Sequence, residues 1–316
     1  MNKVITSITL ILVSWALIVF PLCFLSCTGK VEKNRIITVT IEPQRYFAEQ
    51  LSGGLFKIAT MVPAGTSPET YDPTPVQITD LAKSSAYFQI GKIGFEEVWM
   101  DKIKNNDPGL LVFDNGSGID YITSGSDCDL DHDYDHDHDY DHAGHDDHHH
   151  HAHAHAGNVD PHTWNSPKEA LLIVENMYKA FVELDKENEK IYTENFERLK
   201  AGILETDRIV TDITTEAGCK TFVIYHPALT YFARDYGFNQ LCIEIDGKEP
   251  SPEQIRRLIE TVRSENVKIV FIQQEFDQKN AELISQETGC KLVVINPLSY
   301  NWSDEIIRIA KALADE

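Results

Sequence analysis

The sequence is short of positive charge. Its 316 residues contain 28 Lys and Arg against 50 Asp and Glu, so the formal net charge is -22. Basic residues form no cluster along the chain, whereas proteins that bind nucleic acid need such clusters to contact phosphates. We therefore exclude nucleic acid as a partner. A hydrophobic content of 42% is enough for a core, which excludes a wholly disordered chain and a disulfide-stapled miniprotein.

Several sequence signatures are also missing. The six cysteines include no CxxC pair and no zinc-finger spacing, and the chain has neither an HExxH motif nor a paired acid and base motif. Catalysis therefore has no support, and we expect a protein that is not an enzyme. Four cysteines lie in the body of the chain, and the sequence does not determine their pairing: Cys128, Cys219, Cys242 and Cys290.

The amino end predicts export. After Lys3 an uncharged apolar run extends to Leu25, which is typical of a secretory signal. The residues from Phe24 to Cys27 resemble a bacterial lipobox, so we predict a lipoprotein signal peptide over residues 1–26 and a lipid on Cys27. An uncleaved membrane anchor of about 20 residues is the alternative. Both interpretations place the body of the protein outside the cytoplasmic membrane, attached to it.

Short apolar runs rich in β-branched residues alternate with helical patterns on both sides of a long helical segment. The predicted strands are 36–41, 56–62, 86–90, 110–113, 221–225, 240–245, 268–272 and 291–295. Continuously apolar strands with helices between them are typical of a parallel sheet covered on both faces. We therefore predict an α/β fold of two lobes. Ligands of such sheets bind beyond the carboxyl ends of the strands, so we expect a cleft between the lobes.

Histidine is concentrated in one segment. Eleven of the 13 histidines lie there together with ten aspartates, at His132, His136, His138, His142, His145, His148, His149, His150, His151, His153 and His155. Apolar residues are almost absent from this segment, so we predict a mobile loop over about 117–157 that captures metal ions. A solvated spacer is the alternative. Two histidines remain outside the loop, His162 and His226.

These two histidines are candidate metal ligands. Each is adjacent to a proline, which stiffens the local backbone, and each lies in a loop near a predicted strand end or the loop base. A third such loop contains Glu69. Two imidazoles and a carboxylate suit Zn²⁺, although a lone histidine is often only a hydrogen-bonded loop or core residue. Asp160 and Asp246 are candidates to orient the imidazoles through their second ring nitrogens.

In combination, these motifs resemble the zinc and manganese solute-binding proteins of bacterial ABC importers, the cluster A-I or TroA-like family. The matching segments are 65–75, 160–167, 225–228 with 231–232 and 236–237, 271–276 and 296–298. The loop rich in His and Asp makes the zinc-binding members the most similar. The resemblance implies two α/β lobes joined by a long rigid helix, with one metal between them. Accordingly, we assign residues 27–175 to the amino-terminal lobe with its loop, 176–217 to the connecting helix and 218–316 to the carboxy-terminal lobe.

The resemblance also implies a set of ligands. His162 and His226 stand where the family has metal-binding histidines, Glu69 stands where it usually has its first histidine, and Asn296 stands where some members have an aspartate. An amide is a weaker ligand than a carboxylate. The fourth position therefore stays open between water, Asn296 and Glu275.

The resulting hypothesis is an extracytoplasmic, lipid-anchored monomer that captures Zn²⁺ between its lobes and delivers it to the membrane permease of an ABC importer. A receptor for Mn²⁺ or Fe²⁺ is the alternative within the family. A zinc hydrolase and a protein for metal storage or adhesion are alternatives from other classes, because two histidines and a carboxylate also occur in catalytic zinc sites.

Overall fold

The computed structural model describes residues 35–123, 159–244 and 247–315. The predicted signal peptide with Cys27, the eleven clustered histidines and Asp246 lie outside these residues. Within the described ranges, no helix combines the length and the apolar character needed to cross a membrane.

The first lobe contains a parallel sheet of four strands with the order β2-β1-β3-β4. Its strands are β1 (Ile36–Val39), β2 (Lys57–Thr60), β3 (Ala86–Gln89) and β4 (Leu111–Asp114). The helices between them are α1 (Glu42–Ser52), α2 (Pro75–Leu81) and α3 (Gly94–Asn106). The chain proceeds from β1 to β2 on one side and then to β3 on the other, so β1 and β3 flank the point where the winding direction changes.

The second lobe repeats this arrangement with the order β6-β5-β7-β8. Its strands are β5 (Thr221–Ile224), β6 (Asn239–Cys242), β7 (Ile269–Gln273) and β8 (Lys291–Ile295). Its helices are α6 (Thr230–Tyr236), α7 (Pro252–Ser264), α8 (Lys279–Thr288) and α9 (Trp302–Ala314). All five residues of β7 are buried, as expected for a central strand covered on both faces. The winding direction changes between β5 and β7. The predicted fold is therefore confirmed.

Two helices connect the lobes, α4 (Pro167–Leu184) and α5 (Glu189–Thr215). The long helix α5 contacts α1 and α4 on one side and α9 on the other. The predicted helical segment 176–217 thus consists of the second half of α4 and the whole of α5. Between them, the Asp185 carboxylate accepts hydrogen bonds from Asn188 (2.9 Å) and Tyr192 (2.7 Å). Such local bonds stabilise a break, because they compete with continued helical hydrogen bonding.

The start of α4 is tied to the second lobe. Ser166 caps the helix by accepting a hydrogen bond from the backbone of Glu169. The Glu169 side chain does not complete a capping box but accepts a hydrogen bond from Arg234 of α6 (2.7 Å). Nearby, the indole of Trp164 donates to the carbonyl of Pro297 (2.8 Å), and that of Trp302 donates to the carbonyl of Trp164 (2.6 Å). These bonds fix the segment around residue 164 against the strand ends of the second lobe.

The base of the predicted loop is well anchored where it is described. Thr123 and Val159 form an antiparallel bridge, and the backbone N–H of Asp160 donates to the carbonyl of Ile122 (2.8 Å). The hydroxyl of Tyr231 accepts from the backbone of Ile122 (3.1 Å) and donates to the carbonyl of Asp160 (2.7 Å). A helix of the second lobe therefore holds both stems of the loop.

Candidate metal centre

His226 lies two residues beyond the end of β5, at the point where the winding of the second sheet changes direction. The buried Gln273, at the end of β7, binds the backbone of His226 in both directions. Its amide nitrogen donates to the His226 carbonyl (2.6 Å), and its oxygen accepts from the His226 N–H (3.3 Å). The ring of Phe276 stacks on the imidazole, with centroids 5.3 Å apart. The imidazole Nδ1 lies 3.2 Å from Glu244 Oε1, so the neutral ring donates there and keeps a lone pair on Nε2.

His162 lies just after the loop base and is 6% exposed. Asp160 Oδ1 accepts from its backbone N–H (2.8 Å) and faces its Nδ1 at 2.9 Å. The carboxylate thus fixes both the backbone turn and the ring, and it leaves Nε2 as the free acceptor. The rings of His162 and Trp164 are 5.3 Å apart, so the indole supports the imidazole from one side.

Glu69 lies in the loop between β2 and α2, and the amino end of α3 holds it. The backbone N–H of Gly94 donates to Glu69 Oε2 (3.2 Å), and that of Phe95 donates to the carbonyl of Pro68 (3.0 Å). A Cβ at position 94 would lie 2.4 Å from the carbonyl oxygen of Glu69 and 3.0 Å from Oε2, so the close approach requires glycine. The other carboxylate oxygen, Oε1, is buried and has no hydrogen-bond partner among the described residues. Such an orphaned acceptor is costly unless a cation or a donor satisfies it.

The ligand atoms of Glu69, His162 and His226 all lie within 4.8 Å of one another. The two Nε2 atoms are 3.2 Å apart, and His162 Nε2 is 3.9 Å from Glu69 Oε1. Two nitrogens bound to one tetrahedral Zn²⁺ at 2.0–2.1 Å would be separated by about 3.3 Å. With both Nδ1 atoms facing carboxylates, two lone pairs would face each other at this distance, which is unfavourable without a cation between them. The donor set and its spacing therefore fit a divalent metal ion.

The cavity beside these ligands is small. Its volume is about 20 Å³, enough for one ion or one water but not for an organic solute. Trp164, Phe276 and Leu298 contribute apolar walls. Two nearby aromatic residues do not line the cavity: Tyr71 packs on Phe95, and the buried Trp302 donates its indole N–H to the carbonyl of Trp164.

The structure does not bring Asn296 into this cluster. Its side-chain oxygen accepts a hydrogen bond from the backbone of Leu298 (3.2 Å), and Asn296 is absent from the cavity lining. Glu275 does line the cavity and is half-buried. Burial raises the pKa of Glu275, while the nearby His226 and His162 oppose that shift.

Charge around the imidazoles is strongly negative. Burial lowers the pKa of His162, but Asp160, followed by Glu69 and Glu244, raises it by more, so the net shift is upward. In the reverse direction, burial raises the pKa of Asp160, and the contacts with His162 lower it by more. A field that stabilises a proton between these groups also stabilises a metal cation, and the two compete.

Sequence reasoning missed three of the supporting residues. Asp160, a candidate to orient an imidazole for which a loop carboxylate in water was the favoured interpretation, faces His162 Nδ1 at 2.9 Å. The partner of His226 is Glu244, and the other candidate, Asp246, lies outside the described residues. Gln273 and Gly94 gave no sequence signal for metal binding, since their contacts depend on the positions of strand and helix ends.

Comparison with known proteins shows similarity to zinc-uptake proteins along most of the chain. The model of the family described as ZnuA, the periplasmic component A of the zinc-uptake complex, matches residues 37–313. The chain is 27% identical over 277 residues to the high-affinity zinc uptake system protein ZnuA of Bacillus subtilis, covering 86% of this chain and 81% of that protein. A crystal structure of ZnuA superimposes with a TM-score of 0.76 and 29% identity, covering 89% of this chain and 98% of that one. A zinc-bound deletion mutant of ZnuA gives a TM-score of 0.75 and 30% identity, covering 88% and 96%.

The chain belongs to the ZnuA family. It is therefore the extracytoplasmic solute-binding component of an ABC importer for metal ions, and the predicted resemblance is confirmed. Members of the ZnuA family carry metal ions and are not enzymes, so the zinc hydrolase alternative is set aside.

Proposed function

We propose that the chain captures one Zn²⁺ with Glu69 Oε1, His162 Nε2 and His226 Nε2, and that it delivers this ion to the permease of its importer. The observation that supports the proposal best is the pair of Nε2 atoms that face each other at 3.2 Å beside the orphaned Glu69 oxygen. The ion is the cargo of the protein, so the site must release it as well as bind it.

The donor set favours Zn²⁺ over Mn²⁺ or Fe²⁺ as the cargo. Two imidazoles with one carboxylate suit zinc, whereas manganese prefers sites dominated by oxygen ligands. The relative from Bacillus subtilis and the zinc-bound structural neighbour carry names that refer to zinc. A ligand other than Asn296 completes the coordination, because the side-chain oxygen of Asn296 is engaged in its own turn. Water in the small cavity or the Glu275 carboxylate can occupy that position.

The proposal assigns separate tasks to the two groups of histidines. The eleven clustered histidines bind several Zn²⁺ ions weakly and raise the local zinc concentration beside the cleft. A lipid on Cys27 holds the protein near its permease, and the protein acts as a monomer.

The proposal is tested by calorimetric titration with Zn²⁺ and Mn²⁺ of three proteins: the full chain, a deletion of residues 127–155 and the double variant His162→Ala with His226→Ala. We expect one tight Zn²⁺ site in the full chain and in the deletion, with weaker sites only in the full chain. The double variant should lose the tight site and keep the weak ones. Retention of the tight site by the double variant would contradict the ligand assignment, and tighter binding of Mn²⁺ than of Zn²⁺ would contradict the cargo.

A further inference from the structure

The first lobe contains a buried carboxylate that the metal site does not use directly. Glu96, in the first turn of α3, is 4% exposed and points back over the turn that precedes the helix. Its Oε1 accepts from the backbone N–H of Ile90 (2.8 Å) and its Oε2 from that of Gly91 (2.7 Å). The hydroxyl of Thr40 also donates to Oε1. Thr40 follows β1 and Ile90 follows β3, so Glu96 occupies the point where the first sheet changes its winding direction.

Glu96 and Glu69 are held by opposite ends of one short segment. The turn from Ile90 to Ile93 contains two residues with positive φ, Gly91 (90°) and Lys92 (59°), and it leads directly into Gly94. Gly94 then donates its backbone N–H to Glu69. A conformation with two residues in the left-handed region is stable only when its surroundings enforce it. The two backbone bonds to Glu96 supply that enforcement.

Among the residues that the structure describes, no positive charge faces the Glu96 carboxylate. The titratable groups that face it are Tyr87 on β3, Asp114 at the end of β4 and Tyr121 beyond β4. All three are acidic or phenolic. Burial raises the pKa of Glu96 to about 7, against the opposing effect of its three hydrogen-bond donors, and Asp114 adds to the increase. Glu96 therefore changes its charge in the pH range in which an extracytoplasmic protein works.

We propose that Glu96 is a positioning residue for the metal ligand Glu69. Its ionised carboxylate holds the turn from Ile90 to Ile93, and thereby the amino end of α3, in the conformation in which Gly94 donates its N–H to Glu69. Proton uptake by Glu96 replaces a strong acceptor with a weaker one, so the position of Glu69 becomes less fixed. Binding of the cargo metal and ionisation of Glu96 then favour each other, so metal capture releases a proton from Glu96. This inference rests on the ligand set proposed above.

The proposal has a signature that a merely structural residue lacks. A buried acid with a raised pKa holds its proton in the folded state at pH values where the unfolded chain has released it. Metal-free wild type should therefore lose stability as pH rises from about 4.5 to about 7, relative to a Glu96→Gln variant that cannot ionise. As Glu96 ionises, between about pH 6 and pH 8, wild type should gain metal affinity relative to the variant. As pH rises, the stability of the metal-free protein therefore falls while its affinity for the metal increases, both relative to the variant.

The test is a Zn²⁺ titration of the full chain against a competing chelator between pH 6 and pH 8, so that only the tight site is measured. Wild type, Glu96→Gln and the control Glu97→Gln are compared; Glu97 is the exposed neighbour of Glu96 on α3. We expect wild type to bind up to about tenfold more tightly than Glu96→Gln at pH 8, with the two converging near pH 6, since one proton on a group of pKa about 7 is involved. Glu97→Gln should follow wild type throughout.

Thermal unfolding of the metal-free proteins over the same pH range completes the test. Equal affinities for wild type and Glu96→Gln at all pH values would overturn the proposal. A constant difference at all pH values, with stability changing in the same direction, would show a purely structural residue and also overturn it. If wild type itself bound no Zn²⁺ at pH 8, the ligand set of the proposed function would fail, which is a separate outcome.

Discussion

The two lobes repeat one sheet topology but use its ligand-binding point differently. In the second lobe, the point between β5 and β7 carries His226, whose backbone is held by the uncharged amide of Gln273. In the first lobe, the equivalent point between β1 and β3 is filled by the carboxylate of Glu96, and the metal ligand Glu69 comes from a neighbouring loop. One lobe thus presents its ligand directly from the sheet, and the other presents it through a turn and a helix end.

Because of this difference, we expect the position of Glu69 to respond to pH more strongly than the position of the His226 backbone. An amide bound to a backbone in both directions does not titrate, so the position of His226 should not depend on pH through Gln273. The position of Glu69 depends, in our proposal, on the carboxylate of Glu96, which changes its charge near neutral pH. We infer that the second lobe supplies the constant part of the affinity and that the first lobe supplies the part that conditions can change.

The largest loss of Zn²⁺ affinity is expected when the close contact between Gly94 and Glu69 in the first lobe is blocked. Gly94→Ala would place a Cβ 2.4 Å from the Glu69 carbonyl oxygen, so the backbone of one segment must move away from the other. Loss of the Gly94 bond and displacement of Glu69 should weaken Zn²⁺ binding about 100-fold, the upper end of the range for supporting residues. The measurement is the dissociation constant from chelator competition at pH 7.5.

Gly202→Ala is the matched control for this prediction. Gly202 lies within the long helix α5, and an added Cβ there would meet nothing within 4 Å. The substitution should leave affinity unchanged and stabilise the helix by about 0.5–1 kcal/mol. If Gly94→Ala retained wild-type affinity, Glu69 would not be a ligand held by α3, and the contrast between the lobes would disappear.

A smaller effect is expected when the orienting carboxylate in the second lobe is neutralised. Glu244→Gln keeps the shape of the side chain but removes the charge that faces Nδ1 of His226 at 3.2 Å. Carboxylate partners of ligating histidines increase ligand basicity, so affinity should fall by about tenfold. Glu249→Gln, an exposed acid in the same region, is the control for a general loss of negative charge.

The pH dependence of this variant sharpens the comparison. The Glu244 carboxylate also helps to raise the pKa of His162, so its removal weakens proton competition at low pH, and the loss of affinity in Glu244→Gln should be smaller at pH 6.5 than at pH 8. A larger loss at pH 6.5 than at pH 8 would show that Glu244 does not act on the imidazoles through its charge.

Much of this architecture could be predicted from local sequence. The bounds of β8 agree with the predicted 291–295 because Gly289 ends the preceding helix clearly. The two histidines were found because each stands beside a proline near a strand end. Sequence reasoning extended β6 to residue 245, but the strand ends at Cys242, and this places Glu244 rather than a later acid at the carboxyl edge beside His226.

The remainder of the site depends on contacts between distant segments. Glu69 and Gly94 are 25 residues apart, and His226 and Gln273 are 47 apart. No periodicity or spacing encodes such pairs, because they arise from the register of neighbouring strands and from the packing of a helix end on a loop. Glu96 illustrates the same limit. Two acids follow each other in the first turn of α3, and only the three-dimensional structure distinguishes the buried one from the exposed one.

The smallest effect is expected at Asn296, where family resemblance and geometry differ. Asn296→Ala removes the oxygen that accepts the Leu298 N–H at 3.2 Å and leaves Glu69, His162 and His226 in place. The lost turn bond should cost about 1 kcal/mol of stability, measured by thermal unfolding of the metal-free protein. Zn²⁺ affinity should change by no more than about twofold, because an amide outside the cavity contributes no ligand. A loss comparable to that of Glu244→Gln would instead place Asn296 in the coordination sphere. The second lobe would then contribute two ligands, His226 and Asn296, as many as the first lobe contributes with Glu69 and His162.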